Sequence, residues 1–106
     1  MRILEFTVTK QRLMKDRNCD FSGLVAGSVG YLHAKFHFSD EWNKCEVKIA
    51  RFWLDDKEYA RKLDENNSCE IPPEVLTSEK FQVSVLGAYA GYQIGTSKVN
   101  VTQGVY

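Results

Sequence analysis

Tyr31-Leu32-His33-Ala34-Lys35-Phe36-His37-Phe38 alternates polar and apolar side chains step by step. A period of two sends Leu32, Ala34, Phe36 and Phe38 to one side of a strand and Tyr31, His33, Lys35 and His37 to the other. One dry face and one wet face is the pattern of an antiparallel sheet packed on a core. The same rhythm recurs on both sides of this stretch. Leu4, Phe6 and Val8 alternate with Glu5, Thr7 and Thr9, and Cys45, Val47 and Ile49 alternate with Glu46 and Lys48. Ala50-Arg51-Phe52-Trp53 breaks the period, which predicts a bulge or a change of facing and leaves open which of Phe52 and Trp53 points inward. Further strands are expected at 58–63, 68–71, 81–87, 92–94 and 98–105.

Between these runs lie short segments with turn chemistry: Ser39-Asp40-Glu41, Asp55-Asp56-Lys57, Asp64-Glu65-Asn66-Asn67 and Ala88-Tyr89-Ala90-Gly91. Pro72-Pro73-Glu74-Val75-Leu76 reads as one helical turn, since Pro is tolerated and Glu favoured at a helix start. Lys10 to Arg17 has only Leu13 and Met14 to anchor it and is expected to be a brief helical or irregular excursion. Together these readings predict an all-β chain. Its single domain, spanning 1–106, is expected to be a two-sheet antiparallel immunoglobulin-like β-sandwich of about seven or eight short strands with one helical turn near 72–76.

The composition fits a protein of this kind. The 106 residues hold 14 Lys and Arg against 14 Asp and Glu, for zero net charge, and 43% of them are hydrophobic. A neutral chain lacks the basic excess that phosphate-dominated nucleic-acid binding requires, and a domain of this size buries roughly 65% of its unfolded surface without metals or disulfides. The uncharged stretch from Phe21 to His33 is far short of the ~20 apolar residues that span a bilayer. Charges throughout the first twenty residues break up any apolar leader core, so the chain is expected to begin life in a cytoplasm. Cys19, Cys45 and Cys69 are odd in number and widely spaced, which predicts free thiols rather than a disulfide framework or zinc knuckle.

Catalytic patterns are sparse. His33 and His37, four apart on a strand, have Cα atoms roughly 13 Å apart at ~3.3 Å per residue and cannot share one ion. Gly23, Gly27 and Gly30 lack the Lys-Ser/Thr of a phosphate loop, and no Gly-x-Ser-x-Gly elbow occurs. The acidic pairs Asp40-Glu41, Asp55-Asp56 and Asp64-Glu65 fall in turn-like segments where solvation accounts for them. Neither catalytic nor metal-binding residues are assigned, and no cofactor is expected. The aromatic residues divide differently. Phe6, Phe36, Phe38, Phe81 and Trp42 are expected in the core, whereas Tyr31, Trp53, Tyr59, Tyr89 and Tyr92 fall on polar faces or near loop tips, where amphipathic rings anchor contacts. Tyr89 and Tyr92 flank Ala90-Gly91 and are the first candidates for partner binding, followed by Trp53 and Tyr59. A stacking platform for carbohydrate made of Trp53, Tyr59 and Tyr89 is a further possibility.

The string from Gly27 to Trp42, which ends Phe36-His37-Phe38-Ser39-Asp40-Glu41-Trp42, is followed by Ala50-Arg51-Phe52, Cys69-Glu70-Ile71-Pro72-Pro73-Glu74-Val75-Leu76 and Phe81 to Gly87. In this order the motifs resemble the small β-sandwich domain at the start of many tail and baseplate proteins of phages and prophages of Gram-positive bacteria, the family of the baseplate upper protein's N-terminal domain. The resemblance spans about Leu4 to Val101. It implies that the Trp and Phe positions are core, that no residue is catalytic, and that the domain docks onto other tail proteins in a virion. Related chains continue into a Pro-rich linker and a receptor-binding region, whereas this sequence ends at Gln103-Gly104-Val105-Tyr106. The expectation is therefore a small tail or baseplate accessory subunit, able to form a homo-oligomer. The alternative is a phage-encoded inhibitor that binds a host protein in the bacterial cytoplasm.

Overall fold

The computed structural model describes residues 1–104 as two packed β-sheets. The strands are β1 (Arg2–Thr9), β2 (Arg12–Lys15), β3 (Leu32–Phe38), β4 (Val47–Leu54), β5 (Lys57–Lys62), β6 (Ser68–Glu70), β7 (Lys80–Tyr89), β8 (Tyr92–Gly95) and β9 (Val99–Thr102). One sheet runs β2-β1-β3-β6. The other runs β5-β4-β7-β8, and β9 also pairs with β7. The all-β sandwich expected from the alternation is what the chain forms. With β3 and β6 in one sheet and β4, β7 and β8 in the other, the strands divide as B and E divide from C, F and G in an immunoglobulin-like sandwich, β5 being added beside β4.

Several details differ from the sequence reading. β1 pairs with β3 in parallel, Phe6 opposite Phe36, while every other strand pairing is antiparallel. The period of the side chains sets which face is buried and carries no information about strand direction, so the purely antiparallel expectation misses this pair. Arg12–Lys15, expected as an irregular excursion, is a strand. It folds back on β1 through Lys10, which has φ 56°, and buries Leu13. No bulge interrupts β4. Its pairing with β7 is continuous from Val47–Ala88 to Trp53–Gln82, and Ala50 and Phe52 face inward. Val47, Ile49, Arg51 and Trp53 therefore face outward, and the change of facing falls between Cys45 and the start of β4. The last expected strand stops at Thr102: Gln103 leaves the ladder, Gly104 makes only an isolated parallel bridge with Val25, and Val105 lies outside the described residues.

A bulge does occur between β8 and β9. Gly95 faces Leu86 and Val99 faces Val83, so four steps along this edge match three along β7. Thr96 holds the gap: its N–H donates to the Val85 carbonyl, and its hydroxyl accepts from the Val85 N–H at 2.9 Å.

Between the sheets, Leu4, Phe6, Leu32, Ala34 and Phe36 meet Ala50, Phe52, Phe81, Val83 and Val85, all almost fully buried. Phe6 stacks on Phe36 with ring centres 5.2 Å apart. The two ends of the sandwich are closed by 3-10 turns, Asp40–Trp42 and Pro73–Thr77, which insert Trp42 and the Val75-Leu76 pair into the core. Prolines at the start of the second turn satisfy its geometry as the sequence predicts. Phe38 reaches the core edge and is half-buried, with the Lys48 ammonium 5.0 Å from its ring centre.

Candidate functional site

The β7–β8 hairpin places the two leading candidates, Tyr89 and Tyr92, directly opposite one another. Its two central residues, Ala90 and Gly91, have φ of 31° and 87°, the paired positive values of a tight I′ turn. This geometry holds the two rings at one end of the sandwich in different roles. Tyr89 is 43% exposed. Tyr92 packs against the core, donates its hydroxyl to the Glu41 carbonyl at 3.1 Å, and lies under the Lys44 ammonium. Glu41 is itself fixed, since the Ser39 hydroxyl donates to its carboxylate at 2.7 Å and holds it below the usual carboxylate value. Tyr92 thus braces the hairpin, and Tyr89 is the ring presented to solvent.

Trp53 and Tyr59 lie elsewhere. Tyr59 pairs with Phe52 and shares its inward side at the edge strand β5, half-buried against the core. Trp53 pairs with Gln82 on the outward side of the same sheet. Gln82 is seven residues along β7 from Tyr89, about 23 Å at ~3.3 Å per residue. Trp53, Tyr59 and Tyr89 are therefore not brought together as one stacking platform.

Trp53 has its own surroundings, which the sequence reading did not find. Its indole N–H donates to the Ser84 hydroxyl at 3.0 Å, and Ser84 is 1% exposed although it sits on the outward side of β7. Lys98, in the bulged segment between Gly95 and Val99, holds its ammonium 3.9 Å from the indole centre, and the Arg51 guanidinium is 5.5 Å away. A shallow depression of about 210 Å³ beside Trp53 is lined by Asp55, Lys80, Phe81 and Gln82. Arg51 and Trp53 at two-residue spacing were visible in the sequence. Lys98 and Ser84 could be joined to them only through the register.

His33 and His37 share the outward face of β3, as the alternation requires. His37 Nε2 lies 2.7 Å from Glu5 Oε1, and His33 stands across from Glu70. Cys19, Cys45 and Cys69 are free thiols; Cys45 is buried and the other two half-buried. Burial pushes the Cys69 thiol up to about 12. On the other sheet the exposed Tyr31, expected on a polar face, shares its side with two apolar residues that escaped the sequence reading, Met1 and Ile3. Met1, Ile3 and Tyr31 follow the outward parity of the β1–β3 pair and are 76%, 43% and 50% exposed. Among the described residues no helix is long and apolar enough to cross a membrane.

Compared with known proteins, the chain matches no family model, and no curated protein is significantly similar to it.

Proposed function

We propose that the chain is a non-catalytic protein-binding module of phage origin, serving as a small accessory subunit of a tail or baseplate. The observation that carries the binding role is the contrast within the β7–β8 hairpin. Tyr92 is tied to the Glu41 carbonyl, and Tyr89 opposite it is left 43% exposed on a rigid two-residue turn. A ring whose backbone is already fixed loses little entropy when a partner covers it, which is why aromatic anchors on ordered elements dominate interfaces. The tail assignment is supported by the sequence motifs. Trp42, from the Phe-x-Phe-Ser-x-Glu-Trp motif, and Val75 and Leu76, from the Ile-Pro-Pro-Glu-Val-Leu motif, are all fully buried, in keeping with the structural role that the resemblance gives them.

Tail parts are symmetric oligomers. Light scattering on the purified chain is expected to show a closed ring that Tyr89→Ala shifts toward the monomer. A monomer that instead binds one bacterial host protein tightly would replace the tail role with that of a host-directed inhibitor.

A further inference from the structure

We propose that the outward face of the five-stranded sheet around Trp53 docks an acidic segment of a partner protein, Arg51 and Lys98 taking its carboxylates and Ile49 and Leu86 its apolar side chains. This deepens the protein-binding reading and rests on it, but assigns a surface separate from the Tyr89 hairpin.

The face is built around one ring. The bond from the Trp53 N–H to Ser84 lays the indole across β7, and Ser84 beneath it is excluded from water. Two cations are then held against that ring, Lys98 at 3.9 Å and Arg51 at 5.5 Å from its centre. Each cation–π contact is attractive, yet the two like charges repel one another. Among the described residues no carboxylate oxygen lies within 4.0 Å of Arg51 or Lys98, and the guanidinium Nε is buried without a hydrogen-bond partner. In a chain whose charges sum to zero, this is a local excess of positive charge with unused donors.

An incoming carboxylate supplies what is missing. It can accept from Arg51 and Lys98 together, and such charge-assisted bonds are stronger than neutral ones. Beside the cations, the cross-strand pairs Ile49–Leu86 and Val47–Ala88 continue along the same face as an apolar stripe. A protein segment carries acidic and apolar side chains side by side and fits both parts. A nucleic-acid strand would need a larger excess of cations than this face provides, since Glu58 stands opposite Trp53 and the Ile49–Leu86 and Val47–Ala88 pairs are apolar.

The test is selection of a random dodecapeptide library on the immobilised whole chain, followed by titration of the enriched peptides by tryptophan fluorescence. Enriched peptides should combine Asp or Glu with Leu, Ile or Phe. They should bind R51Q/K98Q about tenfold more weakly, lose affinity as salt is raised, and bind Tyr89→Ala unchanged. Circular dichroism must show R51Q/K98Q folded; if it is not, K98Q alone serves as the variant. Enriched peptides without carboxylates, or carboxylate peptides indifferent to R51Q/K98Q, overturn the proposal. If their binding is lost instead in Tyr89→Ala, this face falls while the protein-binding reading stands. Binding of oligo(dT) that R51Q/K98Q abolishes overturns it in favour of nucleic acid, and no enrichment over a blank support overturns it together with the broader reading.

Discussion

Gly87 lies directly against the Trp42 indole. A Cβ built on Gly87 would stand 2.9 Å from Cε3 and Cζ3 of Trp42 and 2.6 Å from the Cys45 sulfur. The ring that closes this end of the sandwich thus rests against the bare backbone of β7 at Gly87. Gly87→Ala forces the indole or Cys45 to move and is expected to cost about 1 to 3 kcal/mol, as overpacking does. Urea denaturation checks this, and a midpoint equal to wild type would show that the turn carrying Trp42 shifts freely.

Trp42 is fully buried and donates its indole N–H to the Lys10 carbonyl at 2.8 Å, tying the β1–β2 turn to the core. Trp42→Ala should cost about 3 to 5 kcal/mol, a large share of the ~5 to 15 kcal/mol that holds a domain together. Trp42→Phe keeps much of the packing and loses the hydrogen bond, so its denaturation midpoint should fall between those of wild type and Trp42→Ala.

Much of this core is legible in the sequence and much of the surface is not, for a physical reason. Leu32, Ala34 and Phe36 announce their burial because every second residue is apolar, and the turn at 72–76 is announced by its prolines. β2 is hidden because a four-residue edge strand buries a single side chain, Leu13. In β4 both sides are apolar, so alternation alone cannot choose between Phe52 and Trp53; the structure buries Phe52 and leaves Trp53 half-buried on the outside. The exposed Tyr89 was readable from its place beside Ala90-Gly91. The Trp53 cluster depends on pairing between residues as distant as Arg51, Ser84 and Lys98, which local pattern does not encode.

Stability should fall at high pH partly through Cys69. Desolvation raises its thiol from 9.0 to about 12 in the fold, so above pH 9 the unfolded chain ionises first and is favoured. The contribution is complete below pH 9 and is lost as pH climbs toward 12. Denaturation midpoints of wild type and Cys69→Ala, compared between pH 7 and pH 10.5, should show a shallower decline in the variant. Parallel declines would contradict the assignment.

Ala90 occupies a left-handed conformation, with φ 31°, that favours Asn or Gly. Ala90→Asn should therefore stabilise the hairpin by about 1 kcal/mol without moving either tyrosine. Thermal unfolding checks this, the expected outcome being a rise in midpoint. A fall would show that the Ala90 methyl makes contacts that outweigh its backbone strain.

Because Tyr92 is bonded to Glu41 and packed on the core, the pair Tyr89→Ala and Tyr92→Ala cannot be used as a neutral surface change, and Tyr89 alone must carry the test of partner binding. The most direct measurement is photo-crosslinking in producing cells with benzoylphenylalanine substituted at position 89, and, as a control, at Glu65 in the exposed β5–β6 turn. The protein-binding account predicts a discrete adduct with one protein, or with a second copy of this chain, from position 89 and not from position 65. Irradiation that yields no adduct at position 89, or the same adducts from both positions, would contradict it.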